Sequence, residues 1–300
     1  MTSLKNKPWL PYLLLIFGLL CIGWSAIFVK LADVSGFSSA FYRMSIASIA
    51  VIPLWVSRQK RGLDFKGIRA AALCGLFFAC DIAMWNTSIL LSKAAIATLL
   101  ANLSPVWVGI GAIFILKDKP KTIFWIGTAV AICGVMIIVG LGNIIHVQFS
   151  LGVVLAICAS FFYAAYLLTT QKVRNQLDTV SFTAVSMISS TIVLFFICMV
   201  SNTQMTGYST KSWVSLIGLG LISQLGGWLA INWSLGYIKS TVASVTLLSQ
   251  SVVTAIIAIP VLKEILDWNE AIGAVVVLLG IFLVNRKKAG KKPAIEPEYD

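Results

Sequence analysis

Charged side chains are scarce in this chain of 300 residues. Asp, Glu, Lys and Arg together make up 11% of it, whereas a soluble domain carries about 25%. Hydrophobic residues reach 59%, against roughly 45–50% in soluble proteins. So little charge cannot supply the polar surface of a water-soluble fold, and the composition therefore predicts an integral membrane protein.

Histidine is almost missing, and the cysteines form no metal-ligand pairs. The one histidine, His146, gives no basis for a zinc site or for a catalytic triad built on imidazole. The six cysteines all fall inside apolar runs: Cys21, Cys74, Cys80, Cys133, Cys158 and Cys198. No glycine-rich phosphate-binding loop ending in Lys and Ser or Thr is found. The sequence thus predicts no metal, no cofactor, no catalytic residue and no ATPase activity.

Long apolar runs separated by short polar segments dominate the chain. They lie near residues 10–31, 38–57, 68–91, 94–116, 122–141, 150–171, 180–200, 212–237, 240–262 and 268–285. A helix of about 20 apolar residues crosses the hydrocarbon core of a bilayer. Because backbone polar groups in lipid must be satisfied within each segment, the runs predict an all-α integral membrane fold with ten transmembrane helices.

Basic residues are divided unevenly between the two sides of the membrane that this arrangement defines. With the amino terminus in the cytoplasm, 18 of the 23 Lys and Arg residues lie on the cytoplasmic side. Positively charged loops are retained there, so we expect a multi-pass protein of the cytoplasmic (inner) membrane with both termini inside. The net charge of +12 follows from this topology and does not indicate a nucleic-acid partner. Residues 286–300 are polar and predict a disordered cytoplasmic tail.

The chain repeats itself at an offset of 146 residues. Residues 86–137 align with residues 232–283 without a gap, and 14 of these 52 positions are identical. The repeat predicts two related halves, 1–149 and 150–285, each with five helices. Because five is odd, the second half must enter the membrane in the opposite direction, so the halves are expected to be inverted repeats with a substrate site between them near the membrane midplane.

Several motifs carry information beyond their hydropathy. They are Gly23 to Lys30 with Trp24 in the first helix; Arg43 after Phe41 and Tyr42 in the second; Lys93 to Ala97 and then Ser104 to Val106; and Trp125 to Gly127 with Gly134 and Val135, repeated as Ala271 to Gly273 with Gly280 and Ile281. In these motifs the chain resembles the EamA-type drug/metabolite transporter superfamily over nearly its whole length. The resemblance implies a transporter with a central cavity lined by helices one, three, four, six, eight and nine.

The same resemblance does not identify a substrate. Lys117-Asp118 replaces the usual Gly-Glu of the family, and Gln250-Ser251 stands where a proline would be expected. Members of the superfamily transport amino acids, nucleosides, vitamins and S-adenosylmethionine.

Asp81 is the only acidic residue deep inside an apolar run. An ionised carboxylate there costs about 2.5–3.5 kcal/mol on insertion scales, so it should face the bundle interior or a wet cavity. Trp85 and Ser88 follow at the spacing of one helical face. We interpret Asp81 as a site for a substrate ammonium or a coupling proton, with Trp85 offering a cation–π surface; a protonated Asp81 that bonds a neighbouring helix is the alternative.

Two polar stripes are further candidates for the substrate cavity. One comprises Thr98 and Asn102, followed by Pro105, which should bend its helix. The other comprises Thr246 and Gln250. Polar residues also hold membrane helices together, so a packing role is the alternative for each stripe.

Aromatic residues at Trp24, Tyr163 and Tyr166 could form a wall around an organic substrate or pack between helices. The sequence favours a structural role for two pairs of positions: the repeat-matched Asn86 and Asn232, and Gly226 with Gly227, which leave room for close helix approach. Arg43 could reach the outer membrane surface as an anchor or capture an anionic substrate group.

Together these features predict a secondary transporter of a small organic metabolite, namely an amino acid, a related amine or an S-adenosylmethionine-like compound. A nucleoside or vitamin transporter of the same fold is the main alternative. An intramembrane enzyme or a noncatalytic scaffold is less well supported, since no second deep carboxylate or nucleophile motif is found. The expected partners are a small-molecule substrate, the lipid bilayer and a coupled proton; the sequence leaves the oligomeric state open.

Overall fold

The computed structural model describes residues 9–58, 65–91, 94–140, 150–174, 176–262 and 268–286. Within these ranges every regular element is a helix, so the all-helical prediction is confirmed for them. The helices are α1 (Leu10–Gly23 and Ser25–Ala32), α2 (Gly36–Arg58), α3 (Phe65–Leu91), α4 (Ala94–Ala101 and Ser104–Ile115), α5 (Thr122–Val139), α6 (Leu151–Val173), α7 (Thr179–Val200), α8 (Thr210–Gly218, Leu219–Gly227 and Trp228–Ser234), α9 (Ser240–Leu247 and Gln250–Leu262) and α10 (Trp268–Asn285).

Eight of the described helices are long and apolar enough to cross a membrane. Two further apolar stretches, Leu99–Ile115 in α4 and Ala271–Asn285 in α10, are shorter. The chain is therefore a multi-pass membrane protein, while the full count of ten crossings stays a prediction. The predicted tail lies outside the described residues from position 287 onward.

The outer surface of the bundle is apolar, and its interior is rich in small and polar residues. Large side chains such as Phe114, Val200 and Phe282 are exposed. Among the buried residues, Ser38, Ser160 and many other serines and alanines lie between helices. Small residues let helix backbones approach closely, and an apolar exterior suits lipid. This distribution of apolar and polar residues fits a helix bundle that is surrounded by lipid.

Helices from the first half pack mainly against helices from the second half. The contacts join α3 with α6 and α7, α2 with α7 and α8, α1 with α8 and α9, and α5 with α10. The repeat counterpart of each helix is the helix whose number is five higher or lower. Replacing both partners by their counterparts converts the α3–α6 contact into α8–α1 and the α3–α7 contact into α8–α2. The packing therefore follows the 146-residue repeat.

Helices α5 and α10 cross through two pairs of glycines. A Cβ built on Gly127 would lie 2.7 Å from the Gly280 carbonyl oxygen, and one on Gly134 would lie 2.8 Å from the Gly273 carbonyl oxygen. No side chain fits at either crossing. Since the earlier glycine of α5 meets the later glycine of α10, the two helices run antiparallel. The repeat offset converts one contact into the other, because 127 and 134 correspond to 273 and 280.

Helices α4 and α9 are interrupted at matching positions. In α4 the break falls at Asn102 and Leu103, just before Pro105, which has no backbone N–H to continue the helix. In α9 it falls at the counterparts Leu248 and Ser249, without a proline. There the Ser249 hydroxyl donates to the Thr246 carbonyl at 2.7 Å, which competes with regular helix hydrogen bonding. Both halves thus have a helix break at the same repeat position, next to a proline in α4 and with a serine side-chain hydrogen bond in α9.

Helix α8 widens into a π-helix over Leu219–Gly227. Wide turns of this kind are frequent at functional sites. The corresponding part of α3 is a regular α-helix. The two halves therefore differ in helix geometry at this position, which in α3 is occupied by Asp81.

Candidate functional site

A polar cluster lies inside the bundle where α2, α3, α6 and α8 meet. It consists of Arg43, Asp81, Tyr163 and Gln224. The Arg43 Nε donates a hydrogen bond to the Gln224 Oε1 at 2.8 Å, which joins the two halves of the chain. Gln224 is fully buried, whereas Arg43, Asp81 and Tyr163 are partly exposed. These three side chains are therefore not fully enclosed by their neighbours.

Arg43 and Asp81 lie within electrostatic range of each other but form no ion pair. No nitrogen of Arg43 lies within 4.0 Å of an Asp81 carboxylate oxygen. Tyr163 also lies within electrostatic range of Asp81. Within the described part of the chain, Asp81 accepts no hydrogen bond. Unpaired charges are costly inside a membrane, so both groups are available to a third molecule that carries charge of its own.

An aromatic cluster adjoins these polar groups. The Trp228 ring lies edge-on to Phe78 at 4.7 Å, to Tyr166 at 5.3 Å and to Tyr163 at 6.0 Å between centroids. Trp228 is 5% exposed and forms the centre of the cluster. Edge-to-face contacts of this kind add stability beyond the buried area. The cluster therefore provides a rigid apolar support behind the half-buried Tyr163.

The π-helix of α8 carries Gln224 and ends at Gly227, where α8 meets α1. A Cβ on Gly227 would lie 2.8 Å from the Ile22 Cγ2 and 3.2 Å from the Gly18 carbonyl oxygen. A Cβ on Gly226 would meet only the Leu221 carbonyl oxygen, at 3.4 Å. Close helix approach, expected for both glycines, is therefore a property of Gly227, and Gly226 has open space beside it.

The break in α1 exposes backbone carbonyls that side chains of α8 and α9 bind. The Cys21 carbonyl accepts from the Ser223 hydroxyl at 2.9 Å. The Ile22 carbonyl accepts from the Gln250 amide at 3.4 Å, and the Gly23 carbonyl from the Thr254 hydroxyl at 2.9 Å. Carbonyls at a helix end have no partner within the helix, so these bonds satisfy them. They fasten α1 to the second half.

Comparison with known proteins agrees with this architecture. A model of the EamA-like transporter family matches the chain over residues 9–140 and again over residues 150–286. The chain belongs to the EamA-like transporter family. The resemblance seen in the sequence motifs is thereby confirmed.

Relatives of this EamA-like protein span nearly its whole length. An uncharacterized transporter of Archaeoglobus fulgidus is 26% identical over 92% of this chain and 98% of its own. The uncharacterized transporter YcxC of Bacillus subtilis is 24% identical over 97% of this chain and 98% of its own. A protein solved by crystallography superposes with a TM-score of 0.79 at 13% identity, over 91% of this chain and 97% of that chain, and so shares the fold. The relatives are named as transporters, without a substrate.

The other candidate residues of α1 and α3 lie at different depths in the EamA fold. Trp85 is partly exposed, one helical turn from Asp81, and Trp24 is partly exposed at the break in α1. Ser88 is fully buried. The Asn86 amide donates to the Gly36 carbonyl at 2.7 Å and so ties α3 to the start of α2. This bond agrees with the structural role expected for Asn86.

In α4 and α9 the predicted stripes separate into different environments. Asn102 lies at the break in α4, and its amide nitrogen is buried with no hydrogen-bond partner among the described residues. The Thr98 side chain lies outside the described part of the structure. The Thr246 hydroxyl donates to the Val242 carbonyl and accepts from the Asn285 amide. Among the described stripe residues, the buried amide nitrogen of Asn102 thus lacks a hydrogen-bond partner.

Tyr166 lies in the packed core. It is 1% exposed, stacks on Phe78 with centroids 4.6 Å apart, and donates to the Asn232 Oδ1 at 2.9 Å. Asn232 in turn donates to the Thr183 hydroxyl at 3.3 Å. The chain Tyr166, Asn232 and Thr183 joins α6, α8 and α7, which gives Asn232 a structural position.

Sequence reasoning left out Gln224 and Trp228 and did not decide between the two roles of Arg43. The structure turns Arg43 inward, onto Gln224, and not toward the membrane surface. Trp228 resembled an ordinary packing residue because nothing in the sequence places it beside Tyr163. A buried glutamine in an apolar run was the available signal for Gln224, since an intramembrane amide needs a partner.

Proposed function

We propose that this protein is a secondary transporter of a small polar organic metabolite, an amino acid, a related amine or an S-adenosylmethionine-like compound, across the cytoplasmic membrane. The observation that carries the proposal is the unpaired Arg43 and Asp81 inside the bundle, between helices of both halves. Intramembrane charges without a mutual ion pair mark a substrate or ion pathway by default. Membership of a transporter family supports the same conclusion.

The proposed mechanism is alternating access by two inverted repeats, 1–149 and 150–285, with ten crossings and both termini cytoplasmic. The antiparallel crossing of α5 and α10 through matched glycines supports inversion. The two separate matches to the family model and the matching breaks in α4 and α9 support the division into halves. Exchange of equivalent conformations between such halves would expose the Asp81 cluster to each side in turn.

The proposed substrate site comprises Asp81, Arg43 and Tyr163, with Trp85, Trp24 and Asn102 around it. Tyr166, Asn232, Thr246 and Gln250 are assigned to the framework, because their polar groups already bind described helices.

The test is flux in liposomes that contain the purified protein and a labelled metabolite mixture. Asp81→Asn keeps the size of the side chain and removes its charge. We expect uptake of the transported compound to fall by about tenfold or more, as for loss of a charged hydrogen bond. The matched control is Asp33→Asn, since Asp33 lies in the α1–α2 connection in a left-handed conformation that Asn tolerates. Equal loss in both variants, or in neither, would remove Asp81 from the site.

The same assay separates the alternatives. A transporter moves an unmodified compound, an enzyme changes it, and a scaffold does neither. If Asp81 couples protons, Asp81→Asn abolishes uptake driven by a pH gradient and leaves exchange of internal for external substrate intact. Uptake that keeps its dependence on the pH gradient in this variant would exclude the proton role.

A further inference from the structure

We infer that the cluster recognises the α-amino acid end of its substrate, with Arg43 binding a carboxylate and Asp81 binding an ammonium group. The inference deepens the proposed function and rests on it. It narrows the proposed substrates to compounds that carry both groups, which include free amino acids and S-adenosylmethionine-like molecules and exclude simple amines, nucleosides and compounds with only one of the two charges.

The first argument is the separation of the two charges. Arg43 and Asp81 lie within electrostatic range of each other, yet no nitrogen of Arg43 comes within 4.0 Å of an Asp81 carboxylate oxygen. A structural ion pair would have closed that gap, because a direct contact repays part of the cost of burying two charges. A zwitterion would satisfy both groups, with its carboxylate at Arg43 and its ammonium at Asp81. A ligand with one charge would satisfy one group and leave the other unpaired.

The second argument is how Arg43 is held. Its Nε is engaged by the fully buried Gln224, so the guanidinium is fixed in orientation. No residue in the described part of the chain accepts a hydrogen bond from its two terminal nitrogens. A planar guanidinium presents such nitrogens as a fork that matches the two oxygens of a carboxylate. Gln224 thus acts as a positioning residue for a carboxylate subsite.

The third argument is the surroundings of Asp81. Asp81 is partly exposed, and its carboxylate receives no hydrogen bond from described residues. Trp85 follows one turn later, and aromatic faces bind ammonium groups. An ammonium at Asp81 would therefore find a carboxylate to accept its hydrogen bonds and a ring face nearby.

The test measures ligand binding by thermal stabilisation of the purified full-length protein in detergent. The probes are the twenty standard amino acids, each compared with the amine that lacks its carboxylate and the acid that lacks its amino group. We expect at least one amino acid to stabilise the protein and both of its truncated forms to bind about 10- to 100-fold more weakly. Failure of every amino acid to bind, or equal binding of an amine and its parent amino acid, would overturn the inference.

Two variants assign the subsites. Arg43→Gln should weaken binding of the amino acid about 10- to 100-fold and leave binding of the amine unchanged. Asp81→Asn should weaken binding of the amino acid to the same extent and leave binding of the acid that lacks the amino group unchanged. Arg69→Gln is the control, because Arg69 lies exposed near the start of α3 over the Phe65 ring. Equal losses for all three probes in Arg43→Gln would show a packing role only. Liposome flux is measured separately: amino-acid binding without flux would count against transport alone, and flux of compounds without an amino acid end would count against this inference alone.

Gln224→Glu separates positioning from folding. The glutamate keeps an acceptor for the Arg43 Nε, but its charge would compete with a carboxylate ligand for the guanidinium. Weaker binding of the amino acid with unchanged binding of the amine supports the assignment. Unchanged binding of both would overturn the role given to Gln224.

Discussion

Two adjacent glycines of α8 allow a sharp test of the α1–α8 crossing. Ala at Gly227 puts a Cβ 2.8 Å from the Ile22 side chain and 3.2 Å from the Gly18 carbonyl, whereas Ala at Gly226 meets nothing closer than 3.4 Å. Overpacking of a filled interface costs about 1–3 kcal/mol. Both changes replace glycine in the same π-helix, so the gain from restricting the unfolded chain is shared and cancels in the comparison.

Gly227→Ala should therefore be less stable than Gly226→Ala by about 1–3 kcal/mol. With about 2–4 °C of Tm per kcal/mol for chains somewhat shorter than this one, the expected difference in Tm is about 2–12 °C. Thermal unfolding in detergent, followed by loss of the monodisperse species in size-exclusion chromatography, measures it. Equal Tm values, or a lower one for Gly226→Ala, would refute the close approach of α1 and α8 at Gly227.

Further predictions concern a tyrosine pair and an ion pair. Tyr166→Phe removes the hydrogen bond to Asn232 and should lower stability by about 0.5–1.5 kcal/mol without changing ligand affinity. Tyr163→Phe should instead lower ligand affinity without changing stability. Thermal unfolding with and without ligand distinguishes the two variants. The exposed ion pair between Lys239 Nζ and Asp118 at 2.8 Å joins the connections after α4 and α8. Asp118→Asn should change stability by less than about 1 kcal/mol, so a large drop in Tm would show that the pair holds the two connections together.

The helix positions that form the α5–α10 crossing could be predicted from the sequence because they occur in both copies of the repeat. Gly127 and Gly134 recur as Gly273 and Gly280, and matched small residues in apolar runs indicate helix crossings. The structure places all four in the α5–α10 crossing. The break in α9 was harder to predict, since a serine hydroxyl replaces the proline of the first half and serines are common in membrane helices.

The site was only partly predictable, because its geometry depends on long-range contacts. Asp81 stood out since a lone acid in an apolar run is costly. Arg43 lies close enough to the end of its run for either anchoring or inward binding, and the partner that decides, Gln224, is 181 positions away in the chain. Gly226 and Gly227 could not be told apart without knowledge of the π-helix, because a wide turn changes the direction of every side chain within it.

The close crossing of α1 and α8 explains why the second half carries no acid at the position that corresponds to Asp81. Asp81 corresponds to Gly227 at the 146-residue offset, and Gly227 lies against Gly18 of α1. At the α1–α8 crossing the two glycines approach so closely that no Cβ fits, and a carboxylate at Gly227 would have no space. In the first half, the Asp81 side chain of α3 is partly exposed. The close α1–α8 crossing therefore excludes a carboxylate at position 227, whereas α3 accommodates one at position 81.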